Sequence, residues 1–263
     1  RQMCIRDRLQ TVDLIAAEDT RNSIKLLNHF DIHTPMTSYH EYNKVEKGAA
    51  LIEQMRQGKN VALITDAGTP AVSDPGEVLV QKCQEAGIVV TSLPGAAACI
   101  TALILSGLST RRFCFEGFLP ADKKEKKAVL EDLQKESRTI ILYEAPHHLQ
   151  RTLTELYEAL GERRVTLCRE LTKKFEEITP TTLETALALF ETQPPRGEYV
   201  LVVEGKSLSE FRREQEQNWQ EISIEAHMAQ YEAQGIERKE AMKRVAKDRG
   251  ISKREVYQPV SYT

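Results

Sequence analysis

From Val12 onward the apolar positions fall into runs with two alternating periods. VDLIAAED and NVALITDAG are continuous apolar stretches that close on acids or glycine, whereas SIKLLNHF and KGAALIEQMRQG space their apolar residues as one helix face. Such runs, alternating with helices, predict parallel strands buried on both faces. The helix GEVLVQKCQEAG closes on Gly87, a C-terminal glycine signal, and IVVTSLPG reads as a further buried strand ending at Pro94 and Gly95. A helix-like AAACITALILSG then runs to Gly107, completing a βαβ series.

The stretch LSTRRFCFEGFLPADKKEKK has no clear period, so a boundary is placed here, giving an α/β domain over 9–112 and a second over 113–205. The second repeats the theme: TIILYEAP, RRVTLCREL and GEYVLVVEG as strands, HLQRTLTELYEALG and TLETALALFE as helices. Beyond Lys206 the pattern changes to charged helix formers: SEFRREQEQNWQ, then EAHMAQYEAQG, RKEAMKRVAKDRG and SKREVYQ, predicting a small helical tail over 206–258 with a helix-turn-helix pattern.

Composition narrows the possibilities. At 263 residues, 41% hydrophobic and 29% charged, the chain is long enough for a real core, and its net charge of -3 excludes a uniformly basic nucleic-acid coat. Any affinity for RNA must therefore be local. Between Ile236 and Arg254, eight Lys or Arg stand against three Asp or Glu. Arg238, Lys239, Lys243, Arg244, Lys247, Lys253 and Arg254 are the candidate RNA contacts, against the competing reading of a solvated helical pair. Five scattered cysteines without a C-x-x-C pair point to a reducing cytoplasm rather than a disulfide framework or zinc site. No apolar run is long enough for a membrane span, and the first 20 residues lack signal-peptide order.

Chemistry concentrates in T-D-A-G-T-P-A-V-S-D-P-G, Thr65 to Gly76, at the end of a buried strand, where open α/β sheets bind ligands. Glycine permits close backbone approach, proline fixes the path, and the carboxylates of Asp66 and Asp74 can accept from an amino group or ribose hydroxyls. An ordinary strand-to-helix turn explains one Gly and one Pro but not the doubled unit. Neither G-x-G-x-x-G nor a P-loop occurs. Glu18 and Asp19 end a predicted strand beside Arg21, which can clamp a phosphate, unless the group is a helix cap. Arg169, Glu170 and Lys173 follow another strand, where a bland reading is a solvated face. FCFEGFLP, Phe113 to Pro120, offers rings for base stacking or for a hydrophobic contact, and His147 and His148 could contact ligand or water, with no spacing that suits a metal.

The segments A-E-D-T-R (Ala17–Arg21), T-D-A-G-T-P-x-x-S-D-P-G, P-G-A (Pro94–Ala96), Y-E-A-P-H (Tyr143–His147) and R-E-L-T-K (Arg169–Lys173) together resemble the tetrapyrrole methylase superfamily, in its ribosomal-RNA-methylating branch. The resemblance implies two α/β domains with S-adenosylmethionine bound in the cleft between them, a homodimer, and no metal. It places the donor contacts on Asp66, Ala67, Gly68 and Thr69, on Pro94, Gly95, Ala96 and Ala97, and in the second domain on Tyr143 to Pro146, Thr172 and the Gly197–Glu198 strand start. It further implies 2′-O-methylation of a cytidine ribose in the decoding region of small-subunit rRNA, free or in a 30S particle, with Glu18, Asp19, Arg21, Glu170 and Lys173 as the catalytic candidates. Two other functions compete: methylation of a porphyrin or corrin precursor, and RNA binding without catalysis. The third rests on a departure from the family, whose members open on a strand and a Gly-Thr-Pro-Ile-Gly-Asn-Leu loop where this chain has RQMCIRDRLQ. The expectation is a truncated or mis-joined start, with an open sheet edge and one cleft wall missing.

Overall fold

The computed structural model describes residues 2–207, 209–211, 213, 219 and 222–260, and for 2–4 and 258–260 it describes the backbone alone. The first layer comprises α1 (Gln2–Thr11), β1 (Leu14–Ala17), α2 (Thr20–His29), β2 (Met36–Ser38), α3 (Lys44–Arg56), β3 (Val61–Ile64) and α4 (Glu77–Glu85). Its sheet is parallel, in the order β2-β1-β3. The central β1 is sealed on both faces. Ala16 packs with Tyr39, Leu51, Ile52, Leu79 and Cys83 under α3 and α4, and Ile15 packs with Leu27 and Ile32 under α2. This is the doubly covered sheet that continuous apolar strands predict.

β3 differs. All four of its residues are only half-buried, and β1 is its only strand neighbour among the described residues. The strand expected over IVVTSLPG does not form: Ile88–Ala97 carries no ladder, and Val89 is 87% exposed. A β-branched run makes a strand only when a neighbour satisfies its backbone, and among the described residues the backbone groups of Val89–Gly95 bond to nothing in the chain.

The second sheet is five-stranded, ordered β4-β5-β8-β6-β7, from β4 (Phe113–Gly117), β5 (Thr139–Glu144), β6 (Arg164–Arg169), β7 (Glu177–Thr182) and β8 (Tyr199–Val203). It is mixed, not a repeat of the first: β4 and β5 are parallel, while β8 runs antiparallel to both β5 and β6, and β7 antiparallel to β6. α6 (Lys123–Leu133), α7 (Pro146–Leu160) and α8 (Leu183–Thr192) cover one face, where Leu149, Leu153 and Leu156 of α7 meet Ile140, Leu142, Leu201 and Val203. The other face is closed by α5 (Ala98–Leu105), whose Cys99, Ala102 and Leu103 pack on Ile141, Cys168, Val200 and Val202. α5 thus precedes residue 112 in sequence yet packs on the second sheet.

Beyond residue 222 the tail has α9 (Ile224–Ala233), α10 (Arg238–Asp248) and α11 (Lys253–Val260). They close on a separate small core of Met228, Ala241, Val245, Ala246 and Val256. The helix expected over SEFRREQEQNWQ falls largely outside the described residues.

Candidate active site at the ends of β1, β3 and β5

The carboxyl ends of β1 and β3 are tied together by one side chain. Glu18 accepts from the Thr65 hydroxyl at 2.5 Å and from the Asp66 amide at 3.3 Å, and Asn22 of α2 donates to the Asp66 carboxylate at 3.0 Å. Asp19 instead caps α2, accepting from the Arg21 amide at 2.8 Å and from its guanidinium at 3.1 and 2.8 Å. Those Arg21 bonds hold its carboxyl at about 2. The motif therefore divides its labour: Glu18 braces the loop, Asp19 starts the helix, and the Arg21 side chain reaches solvent at 87% exposure.

Two residues after β3 that are not glycine sit in the left-handed region, Ala71 at φ 67° and Ser73 at φ 60°. Such strain persists where surrounding contacts over-determine the backbone, and it gathers at functional sites. Asp74 follows at once. Burial, with Glu18 and Asp66 nearby, pushes its carboxyl up, and the Thr65 hydroxyl partly offsets this.

Pro94–Ala97 faces this loop and leads into α5. Thr69 donates to the Ala96 carbonyl at 2.8 Å, and a Cβ on Gly95 would press to 3.3 Å from the Thr69 hydroxyl. The floor comes from the second sheet: the Tyr143 hydroxyl accepts from the Cys99 amide at 3.1 Å, where α5 begins, and burial pushes its phenol up to about 12. Phe115 and Phe118 pack edge-on against the Tyr143 ring at 4.9 and 5.8 Å, so two of the three rings of FCFEGFLP are wall rather than free stacking platform. Pro146 opens α7 just beyond, and Glu144 is held by the Ala145 amide and the Thr152 hydroxyl. Asp66–Thr69, Pro94–Ala97 and Tyr143 thus come together. Their donor set suits a ligand bearing an amino acid and a nucleoside: carboxylates for an ammonium and ribose hydroxyls, unpaired backbone groups for a base edge, and glycines that leave room.

The R-E-L-T-K segment makes a second cluster. Glu170 (φ 47°) and Thr172 (φ 65°) are again left-handed without being glycine. Glu170 accepts from the Glu198 amide at 2.8 Å and from Lys173 at 3.1 Å, and Lys173 also reaches Glu198 at 2.7 Å. Gly197 is required here, with φ 75° and space for a Cβ only 2.5 Å from the Glu170 side chain. Between two carboxylates the Lys173 amine is pushed up, and Glu170 is lowered by the Glu198 amide and Lys173. Lys173 is therefore a fixed cation, suited to a phosphate rather than to taking a proton. Among the described residues, no hydrogen bond or ion pair joins this cluster to the β3 loop.

Sequence reasoning did not single out Asn22, the Glu18–Thr65 bond or Gly117, whose Cβ would meet the Ser73 hydroxyl at 3.0 Å. All depend on approaches between distant segments, which spacing does not encode. His147 and His148 lie ring to ring at 4.1 Å, and among the described residues no group of three or more His, Cys, Asp or Glu is placed to hold a metal. In the tail, Arg238, Lys239, Lys243, Arg244, Lys247, Lys253 and Arg254 are all exposed on α10 and the start of α11. Lys243 pairs with Glu240 and Arg244 lies over the Tyr231 ring, whereas Lys239, Lys247, Lys253 and Arg254 have no ion pair among the described residues.

Comparison with known proteins matches residues 5–187 to the profile of the Tetrapyrrole (Corrin/Porphyrin) Methylases. Ribosomal RNA small subunit methyltransferase I of Bacillus subtilis (strain 168) is 47% identical over 251 residues, covering 95% of this chain and 86% of that protein. The protein of the same name from Synechocystis sp. (strain ATCC 27184 / PCC 6803 / Kazusa) is 46% identical over 253 residues, covering 96% and 89%. Among solved structures, a cobalamin biosynthetic enzyme, cobalt precorrin-4 methyltransferase, superposes with a TM-score of 0.56 at 19% identity, over 76% of this chain and 86% of that one, a likeness of fold.

Proposed function

The chain belongs to the tetrapyrrole methylase family, whose methyltransferases use S-adenosylmethionine, and from that premise we propose that it methylates the 2′-hydroxyl of a cytidine ribose in small-subunit ribosomal RNA. The observation that carries this reading is the strained Thr65–Gly76 loop, braced by Glu18 and closed against Pro94–Ala97 over Tyr143, in a chain whose relatives are named for small-subunit rRNA. Asp66 to Thr69, Pro94 to Ala97, Tyr143 and Pro146 hold the donor on this reading, and Thr172 and Gly197 shape the wall nearer Lys173. Bound there, S-adenosylmethionine supplies an electrophilic methyl on a sulfonium.

A ribose hydroxyl is a weak nucleophile, so the chain must aim it in line and receive its proton as the new oxygen–carbon bond forms. On this reading Glu18 takes that proton, and Asp74 accepts from the donor's ammonium or ribose hydroxyls. Lys173, kept charged by Glu170 and Glu198, and the exposed Arg21 hold substrate phosphates. The cations of α10 and α11 add affinity for the RNA backbone without reading sequence. The apolar α5 face, with Ile104 69% exposed, supports a homodimer.

The test is transfer of labelled methyl to small subunits and to naked rRNA, followed by nuclease mapping. The expected product is one 2′-O-methylcytidine; label only in a tetrapyrrole acceptor overturns the reading. The open β3 edge and the unpaired Val89–Gly95 segment favour a second reading, RNA binding without catalysis. Calorimetry separates the two: saturable S-adenosylmethionine binding supports catalysis, and none supports the second.

A further inference from the structure

At the far end of the second sheet, Ser109, Arg111, Arg112, Ser137, Arg138 and Thr139 line a recess of about 310 Å³ that the methyl-transfer site does not use. We propose that it anchors the phosphodiester backbone of the RNA substrate at a second point, one strand's length from the cleft. This rests on the RNA reading above and adds to it a place on the body of the protein where the strand is held.

The recess is built, not a chance meeting of side chains. Buried Thr139 opens β5, donating its hydroxyl to the Ser109 carbonyl at 2.7 Å and its amide to the Arg112 carbonyl at 3.2 Å, which fixes the loop between α5 and β4. Arg138 is clamped by Glu136 through contacts of 2.9 and 2.5 Å, so its charge is met from within, and Glu116 is the other acid near it. Arg111 and Arg112 are different. Both are exposed, and neither has a hydrogen bond or ion pair from its side chain among the described residues. Two adjacent guanidiniums on a fixed loop, rimmed by the Ser109 and Ser137 hydroxyls, form the donor set that matches phosphate oxygens in a fork.

Topology says which anion. β8 runs antiparallel to β5 with Val203 opposite Ile140, so the chain leaves the sheet for its helical tail at this rim. Gly205 lies against the backbone of Ser137 and Arg138 so closely that no Cβ fits, and the Lys206 amide donates to the Glu136 carbonyl at 2.7 Å. The chain therefore turns toward its helical tail at the same rim that carries the exposed Arg111 and Arg112. The six residues of β5 then separate Thr139 from the Tyr143–Pro146 end by about 17 Å at a strand's rise per residue. A polyanion that enters the cleft can run the length of β5 to this recess; a single free anion has no need of that alignment.

The experiment uses the full chain and a fluorescent transcript of the small-subunit rRNA decoding region, with binding followed by anisotropy at increasing salt. Arg111→Gln with Arg112→Gln should weaken RNA binding about tenfold at ~0.1 M salt and lower the salt slope by about one per arginine. S-adenosylmethionine affinity and the thermal melt should stay unchanged, because both side chains are exposed and unpaired. Unchanged RNA affinity and slope in that variant, while Lys243→Glu with Arg244→Glu and Lys247→Glu loses RNA, overturns the recess and leaves the RNA reading standing. A wild-type chain without RNA affinity overturns the RNA reading, and this site with it. Saturable binding of inorganic phosphate at fixed ionic strength, abolished in the glutamine variant while RNA binding persists, makes the recess a free-anion site and also overturns the proposal.

Discussion

The surroundings of Asp74 oppose its charge. Burial comes first, then Glu18 and Asp66, so its pKa lies above the ordinary carboxylate value. The folded state then binds the proton more tightly than the unfolded chain. Ionised Asp74 therefore opposes folding at neutral pH, and stability rises as pH falls from the folded pKa toward the unfolded one. Removing the charge should help the fold and harm the site. Asp74→Asn is expected to raise Tm by about 2 °C and to weaken S-adenosylmethionine binding roughly tenfold. In wild type that affinity should decline as pH drops through the raised pKa, and in the variant it should be flat; calorimetry across pH 4–8 reads both. Asp19 and Glu170 contrast with it, since both are lowered by their hydrogen bonds, Asp19 to about 2.

Which elements were legible in the sequence follows from where their information lies. β1, β3, β5, β6 and β8 announce themselves as apolar runs, and α7 by Leu149, Leu153, Leu156 and Leu160 on one face. Elements at the sheet margin do not. β4 is an edge strand with three of its residues polar, small or exposed, α6 opens with five charged residues that hide its period, and β7 carries Pro180, tolerable only because an edge strand need not donate there. The site follows the same rule. Turn residues and acids stood out as motifs, but Asn22 reaching Asp66 and Tyr143 receiving Cys99 are meetings across 44 positions each, and no local pattern records them. The expected strand at IVVTSLPG fails for a related reason: composition supplies propensity, and a neighbour supplies the ladder. Exposed Val89 and Val90 beside an open β3 edge form a template for intermolecular pairing. Val89→Lys should therefore suppress concentration-dependent light scattering on heating while shifting Tm by less than about 1 °C; a large loss of Tm would show that Val89 is packed after all.

On the scale of the whole molecule, the tail is a unit with its own core and its own reporter. The chain has a single tryptophan, Trp219, and its ring stacks on buried His227 at 3.6 Å and 7°. Burial, reinforced by Arg249, lowers the His227 pKa, with Asp248 pulling the other way. A base with a depressed folded pKa is protonated first in the unfolded state, so the tail should lose stability as pH falls below about 6.5. Trp219 emission should shift to the red through that window, while circular dichroism of the two sheets holds. His227→Gln should flatten the shift, and emission that is constant from about pH 8 to 5 in wild type would refute the assignment.

The antiparallel insertion of β8 between β5 and β6 has a consequence in time as well as in space. The most buried strand of the second sheet is also its last to be made. Between the completion of β6 at Arg169 and of β8 at Val203 lie 34 residues of synthesis, roughly two to seven seconds at cellular elongation rates. Through that interval β5 and β6 each offer an unfilled apolar margin, and the nascent chain must be kept from foreign strands until Tyr199–Val203 arrives.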